Sequence, residues 1–266
     1  MTATINGIGT HYYGRKNSRF DIGVCDSCKR TVQLESYETG LYFVILFIPV
    51  IPLGRKQILD YCPNCSRHRI MPAHQWKEIK QKAIDSSTDQ LAQKMDDPAA
   101  AIEHLQSLTA FHELEEAKEL APAIESQHPD DSQLQFFLGA WHEKYGDRKD
   151  ADRCFERAYQ LDPKNPAMIR AKGIGLIEEG KPDAARTLFA ALEPPSENFD
   201  PAIFFMLAKS FQAANRHKEA LEVFRLIKDT PNAKTDREFR KAVQTSEQAA
   251  GFGESMLPKK KWFRGN

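Results

Sequence analysis

The sequence lacks the short motifs that mark the common classes of enzyme. Its 266 residues contain no complete Gly-rich phosphate-binding loop, no HExxH motif and no GxSxG nucleophile elbow. Acidic residues are numerous, but they recur at helical spacings of three and four, where solvation and pairing with lysine account for them. These absences predict a protein that is not an enzyme.

The sequence also lacks an apolar run of the length that a membrane-spanning helix needs. The longest run, Leu41 to Leu53, has thirteen residues, whereas a spanning helix takes about 20. Pro49 and Pro52 interrupt it, and its aromatic and β-branched residues favour a strand. The first 20 residues are polar and unlike a secretory signal. We therefore expect a cytoplasmic protein in a reducing compartment.

The formal net charge of the chain is zero, but its charged residues are unevenly distributed along the sequence. Lys plus Arg and Asp plus Glu both number 37. Residues 1–82 carry 12 basic and 6 acidic side chains, residues 83–255 carry 21 and 31, and residues 256–266 carry 4 and none. This distribution suggests separate modules, although an acidic middle segment also arises from the solvated faces of many helices.

Cysteine is scarce, and four of the five cysteines form two Cys-x-x-Cys pairs. The pairs are Cys25 with Cys28 and Cys62 with Cys65. Each pair fits a tight turn that aims two sulfurs at one point, and four thiolates form a closed tetrahedral shell that suits Zn²⁺. The sequence therefore predicts a structural zinc site. His68 is a further candidate ligand, although four cysteines already complete the shell.

The segment between the pairs resembles a bacterial zinc-ribbon family. The resemblance rests on Phe47-Ile-Pro-Val-Ile-Pro-Leu-Gly54 ahead of the second cysteine pair, and it covers about residues 8–70. It implies a small β fold and a metal, and little about function.

Three alternatives remain for this ribbon. It can hold iron and transfer electrons, although rubredoxin turns usually carry Gly where Lys29 and Ser66 stand. It can bind nucleic acid through basic and aromatic side chains, although these are scattered and no base-reading motif is present. It can also be a docking module, because so small a ribbon can scarcely bury thirteen consecutive apolar residues.

After Pro98 the sequence repeats with a period of 34 or 35 residues. The recurring positions are Gly139, Gly146, Ala151 and Phe155, then Gly173, Gly180, Ala185 and Phe189, then Ala208, Asn215, Ala220 and Phe224. Ala117 and Pro129 precede Ala151 and Pro163 by the same interval. Small residues let paired helices approach, and the phenylalanines fill the space between hairpins.

This pattern resembles the tetratricopeptide repeat (TPR) family. The resemblance implies a mainly α fold, a solenoid of helical hairpins preceded by the small β zinc ribbon. The predicted hairpins span about 98–130, 133–165, 167–198 and 201–231, and a helix over 234–250 caps them. The predicted domains are a zinc ribbon at 1–71, a linker helix at 72–97, repeats with the cap at 98–250, and a basic-aromatic tail at 251–266.

The same resemblance implies a concave groove that receives peptides. The carried-over positions are Phe136, Ala140, Glu143, Arg170, Ile174, Ile177, Phe205, Lys209 and Gln212. The paired Lys and Asn that grip a C-terminal carboxylate in some members are absent. The strip formed by Phe136, Ile174 and Phe205 suits an amphipathic helix or an apolar peptide. The alternative is that the capping helix or the ribbon's apolar strand fills it.

The sequence thus predicts a non-catalytic protein–protein interaction scaffold with a structural zinc ribbon and a TPR groove. A nucleic-acid-associated adaptor is the second hypothesis, and rubredoxin-like electron transfer is the third. The tail, Lys259 to Arg264, suggests peripheral contact with the inner face of a membrane, or a solvated basic terminus. Cys154 is interpreted as a buried packing thiol.

Overall fold

The computed structural model describes residues 4–231, 233, 236–252 and 255–257. The chain divides into two compact units, Met1–Met95 with Gln106–Glu113, and Asp96–Leu105 with Leu114–Asn266. Across the described ranges, no helix is both long enough and apolar enough to cross a membrane. The basic-aromatic segment from Lys259 to Arg264 lies outside the described residues.

The first unit contains a five-stranded antiparallel sheet in which strand order follows chain order. The strands are β1 (Thr4–Ile5), β2 (Ile8–Val24), β3 (Thr31–Ile45), β4 (Ile48–Tyr61) and β5 (Arg69–Pro72). Three strands have 14 to 17 residues, where the sequence predicts short strands. The difference arises at Gly14 and Asn17, which have positive φ and lie at register shifts within β2. These two turn-type residues form bulges in a continuous strand rather than ending it.

The turns between the strands of this sheet lie alternately at its two opposite ends. The two cysteine pairs lie in the turns that follow β2 and β4. The β1–β2 turn and the β3–β4 turn lie at the other end, and Leu46 and Phe47 form the β3–β4 turn. Antiparallel order places alternate turns at opposite ends of a sheet, so both cysteine turns meet at one end.

Helix α1 (Ala73–Gln93) follows β5 directly and belongs to the first unit. It contacts β4 and β5. The ring centroids of Trp76 and Phe111 are 5.3 Å apart, and the Lys80 ammonium pairs with Glu113. The segment that the sequence predicts as a linker helix is therefore packed on the sheet.

The remaining described helices pair as antiparallel hairpins along the chain. They are α2 (Pro98–Ala110), α3 (Leu114–Gln127), α4 (Ser132–Tyr145), α5 (Arg148–Leu161), α6 (Pro166–Glu178), α7 (Pro182–Phe189), α8 (Pro201–Ala213), α9 (His217–Ile227) and α10 (Arg237–Ala249). Asp131, Asp147, Asn165, Asp200 and Asp236 each cap a helix by accepting a backbone N–H. Local sequence therefore sets where these helices begin.

Within hairpins, glycine and phenylalanine make the close contact that the repeat pattern predicts. A Cβ added at Gly139 would lie 2.6 Å from the Phe155 ring, and one at Gly173 would lie 2.1 Å from the Phe189 ring. Both distances are too short for a real Cβ, so each ring packs directly on bare backbone. These contacts hold α4 against α5 and α6 against α7.

The turns between paired helices recur with the same period. His112, Gly180 and Asn215 have φ of 60°, 73° and 58°. His112 precedes Gly146 by 34 residues and so marks the turn of the first hairpin. Position 112 is a histidine where the later turns have glycine or asparagine, which is why the repeat pattern in the sequence does not reveal that turn.

The last described helix closes the array. The Phe239 ring of α10 lies 5.5 Å from Phe224 and 6.2 Å from Phe205, measured between ring centroids. The Gln212 side-chain amide donates to the carbonyl of Ala242 and to the hydroxyl of Ser246. Helix α10 thus packs on the last hairpin, as a capping element does.

Candidate metal centre and helical groove

The two cysteine turns share one backbone pattern. The N–H of Lys29 donates to the Cys25 carbonyl at 2.8 Å, and the N–H of Cys25 donates to the Arg30 carbonyl at 2.9 Å. The second turn repeats this pattern, with Ser66 donating to Cys62 at 2.8 Å. The two turns therefore hold their cysteine pairs with the same pattern of backbone hydrogen bonds.

Both turns place a residue with a side chain in the left-handed region. The φ angles are 57° at Lys29 and 58° at Ser66, the two positions where Gly is usual in rubredoxin turns. For a residue with a Cβ, this conformation costs roughly 1 kcal/mol or more. The turns therefore carry a local strain that glycine would relieve.

We expect Ser66→Gly to raise the free energy of unfolding of the metal-loaded first unit by about 1 kcal/mol, because glycine adopts positive φ without penalty. The measurement is the urea midpoint of metal release, followed with a chromogenic chelator. Ser27→Gly is the matched control, because Ser27 lies in the first turn without positive φ. It should lower the midpoint, and a midpoint for Ser66→Gly at or below that of the unmodified protein would contradict the expectation.

The four sulfurs form a compact cluster. Sγ of Cys25 lies 3.7 Å from Sγ of Cys65, and Sγ of Cys28 lies 3.8 Å from Sγ of Cys62. All four sulfurs lie within 4.8 Å of one another. A tetrahedral ion with metal–sulfur bonds of about 2.3 Å separates its ligands by roughly 3.8 Å. These sulfurs are far beyond disulfide length and at the spacing of a tetrathiolate metal site.

Hydrogen-bond donors surround this cluster. The backbone N–H of Arg30 and the side chain of Asn64 lower the pKa of Cys28 to about 6. At Cys65 the backbone N–H of Arg67 lowers the pKa, but burial and the neighbouring thiols outweigh it and raise the pKa to about 11. The hydrogen bonds to Cys28 therefore favour its thiolate, which is the form that binds metal.

His68 lies outside the four-sulfur group. Its Nδ1 is 3.1 Å from the Ser66 carbonyl, and its ring centroid is 5.7 Å from that of Tyr61. Among the described residues, the group of ligand atoms that can share one ion at this site consists of the four cysteine sulfurs and does not include His68. His68 stands beside the second turn rather than in the ligand set.

The second unit contains a cavity of about 380 Å³ between α4, α5 and α6. Five of the nine predicted groove residues line it: Phe136, Ala140, Glu143, Arg170 and Ile174. Ala140 is exposed, and the Phe136 ring lies 5.6 Å from the Phe155 ring. Its floor is therefore apolar and is braced by the packing of the hairpin beneath.

The other four predicted groove residues lie outside this cavity. Phe205 and Gln212 contact α10, Ile177 packs against the hydrophobic core of the unit, and Lys209 is exposed. The predicted strip therefore divides, because the capping helix takes the Phe205 end. Phe136 and Ile174 remain together.

Charged side chains surround the cavity. Arg148 donates to Asp152 at 3.0 Å and also pairs with Glu178 from the next hairpin. Arg170 donates from Nη2 to the Asn198 carbonyl at 2.7 Å, while its Nε is buried and has no hydrogen-bond partner in the described structure. The cavity therefore has a charged rim above an apolar floor.

Cys154 is completely buried, as the sequence predicts, and burial raises its pKa to about 12. Its thiol lies within 4.8 Å of ligand atoms of Glu125 and His142. The Glu125 carboxylate already accepts two hydrogen bonds from the Arg153 guanidinium, at 2.7 and 3.2 Å. Sequence reasoning misses this cluster because three helices contribute to it and no short motif links them.

No protein-family model matches the sequence, and no curated protein matches it. Solved structures of TPR proteins are similar to parts of the chain. YrrB, described as a TPR protein with an unusual peptide-binding site, is 16% identical over 64% of this chain and 95% of its own, with a TM-score of 0.47. MamA is 13% identical over 69% of this chain and 92% of its own, with a TM-score of 0.44. A thermophilic TPR protein of Thermus thermophilus, TTC0263, is 18% identical over 64% of this chain and 90% of its own, with a TM-score of 0.38.

The chain's own helices establish its fold class. Hairpins recur at the 34-residue period, glycine–phenylalanine contacts close two of them, and an antiparallel sheet with a four-cysteine cluster precedes them. The chain is therefore a TPR-like array of helical hairpins behind a small β unit that fits a zinc ribbon.

Proposed function

We propose that this protein is a non-catalytic scaffold that binds a peptide segment of a partner protein in the cavity between α4, α5 and α6. The observation that carries the proposal is the apolar floor of Phe136, Ala140 and Ile174 within that cavity. An apolar groove between helices can receive the apolar anchors of an amphipathic helix.

The charged rim refines the chemistry of this peptide. The cavity lining includes five acidic residues, Glu143, Asp152, Glu156, Glu178 and Glu179, and three basic ones, Arg148, Arg170 and Lys172. The excess of acidic groups favours a peptide with basic residues flanking its apolar anchors.

For the four-cysteine cluster we propose a structural Zn²⁺. Closed thiolate shells are typical of structural zinc sites, and such a shell leaves no ligand position open to a substrate. Elemental analysis of protein purified from its native host tests the assignment. Zinc at one equivalent is the expected result, whereas a red protein holding one equivalent of iron would identify an electron-transfer site.

The groove is tested by affinity capture after crosslinking in cytoplasmic extract, with and without nuclease. We expect a protein partner that survives nuclease and is lost in Ala140→Arg, because the long charged side chain fills the cavity from an exposed helical position. Phe136→Asp should act in the same way.

The matched control is Ala249→Arg, an exposed alanine near the end of α10 that lies outside the cavity. It should capture the same partner as the unmodified protein. Capture that persists in both cavity variants would exclude the groove, and capture that disappears with nuclease would move the function to nucleic acid.

A further inference from the structure

One end of the sheet carries no charged side chain. Residues 4–14 and 39–54 contain no Asp, Glu, Lys or Arg. The exposed apolar residues at this end are Ile5, Ile8, Ile45, Leu46, Phe47, Ile48, Val50, Ile51 and Leu53, and we refer to them as the apolar tip. Leu46 is 70% exposed and Phe47 is 58% exposed. An apolar surface of this continuity marks an interaction site.

Strand β4 contributes most to the apolar tip, and its first residues are exposed on both faces of the sheet. Successive residues of a strand point to opposite faces, so packing on one side leaves alternate positions buried. Every residue from Leu46 to Gly54 is exposed instead. A protein partner typically covers one face of a strand, whereas lipid surrounds both, so this pattern favours a membrane.

A polar and then a basic belt follow the apolar tip along the sheet. Tyr12 and Tyr13 on β2 and Tyr42 on β3 come first. Arg55 lies opposite Gly40, level with Tyr13, and Arg15, Lys56 and Lys16 follow within the next two positions of the register. Two of these cations have acidic partners: Arg55 pairs with the buried Glu38 at 3.0 Å, and Arg15 pairs with Glu35 at 2.6 Å.

The spacing of these belts fits one leaflet of a bilayer. Five residues of β3 separate Ile45 from Gly40, which pairs with Arg55. At about 3.3 Å per residue this is roughly 17 Å, which matches a headgroup layer of about 5–7 Å plus an insertion of about 10 Å below it. Tyrosine concentrates at membrane interfaces, and basic residues are attracted to anionic headgroups. The order of side chains along the sheet therefore matches the order of layers in a membrane surface.

The turn at the end of the tip places bulky apolar residues where small ones are usual. Leu46 and Phe47 have φ of 50° and 61° between the paired residues Ile45 and Ile48, which defines a two-residue turn with both residues left-handed. Such turns favour Asn-Gly. The Phe47 N–H donates to the Gly7 carbonyl at 3.1 Å, and the Tyr13 hydroxyl donates to the Phe47 carbonyl. The N–H and the carbonyl of Phe47 are thus hydrogen-bonded within the protein, whereas the side chains of Leu46 and Phe47 are exposed.

We propose that the apolar tip inserts into the interfacial layer of a membrane that contains anionic lipids, with Leu46 and Phe47 deepest and Arg15, Lys16, Arg55 and Lys56 at the headgroups. Insertion is shallow, on the order of 5–10 Å, as for other interfacial segments. The open edge of β4 limits the depth, because unpaired backbone groups do not enter hydrocarbon. No residue of the apolar tip or of these basic positions belongs to the peptide cavity or to the tail at 251–266.

The test is flotation of the full-length, metal-loaded chain with vesicles of phosphatidylcholine, with and without phosphatidylglycerol. The informative variant is Leu46→Asn with Phe47→Gly, which installs the preferred pair for this turn and removes both apolar side chains. We expect at least about a tenfold loss of affinity for anionic vesicles, because two large side chains no longer leave water. Retained metal stoichiometry confirms that the unit is folded.

The matched control is Ile22→Asn, which removes a side chain that is 77% exposed near the cysteine end of β2. It should bind vesicles as the unmodified protein does, and Ala140→Arg should too, which separates this result from the groove. Equal binding by the turn variant and the unmodified protein would overturn the proposal, since the tail is unchanged in both. Equal affinity for neutral vesicles, or a tip-dependent protein complex without vesicle binding, would also overturn it.

Discussion

Cys62→Ser is expected to abolish metal binding and to unfold the sheet of the first unit. The Cys62 sulfur is fully buried and 3.8 Å from that of Cys28, so serine removes a ligand that water cannot replace. Structural zinc contributes on the order of 10 kcal/mol or more to folding in small domains, as much as the whole stability of many proteins. Few large apolar side chains of this sheet are buried, chiefly Tyr37, Val44 and Ile58. A metal bound by the four sulfurs would therefore dominate the stability of this sheet.

The measurement combines metal content with limited proteolysis. Metal should fall from one equivalent to none, and cleavage should begin within residues 4–72 while a helical circular dichroism signal persists. Cys154→Ser is the control, because Cys154 lies in α5 and should leave the metal content at one. A variant at Cys62 that still holds metal and resists protease would show that the four sulfurs are not the ligand set.

Gly173→Ala is expected to destabilise the helical array by about 2–3 kcal/mol. A Cβ at this position would lie 2.1 Å from Cε1 of Phe189, and Phe189 is fully buried between α6, α7 and α8. The ring cannot retreat, because Phe204 lies on its other side with centroids 6.0 Å apart. Helices α6 and α7 must therefore separate to admit one methyl group.

The same helix supplies the control for this substitution. A Cβ at Gly175 would meet nothing within 4 Å, so Gly175→Ala should gain about 0.5–1 kcal/mol of helix propensity. The two substitutions are chemically identical and two residues apart, so their urea midpoints isolate the packing effect. Midpoints that shift together, in either direction, would rule out the predicted steric contact.

The features predicted correctly from sequence are those encoded at fixed spacing. The hairpins follow from Gly173 and Phe189 and their equivalents, because each hairpin must repeat the same close contact. The cysteine cluster follows from two turns of identical length, since each turn aims its own pair of sulfurs. These local patterns do not depend on contacts with distant parts of the chain.

The features missed depend on contacts between distant segments. Gly14 and Asn17 are indistinguishable in sequence from residues that end a strand, and only pairing with β3 shows that β2 continues through them. The division of the predicted groove at Phe205 depends on where α10 packs. The thirteen-residue apolar run is too large for the ribbon to bury, as expected, but only the structure shows that Val44 is buried whereas every residue from Ile45 to Leu53 is exposed.

The way α10 ends the array bears on self-association. Stacked hairpins expose at each end the same kind of surface that joins neighbours within the stack, so an unfinished end is a site for filament growth. Here Phe205 and Gln212 are already engaged by α10, whose outward positions include Arg237, Glu238 and Lys241. Helix α10 therefore covers the surface of the last described hairpin that another hairpin or a second copy of the chain would contact.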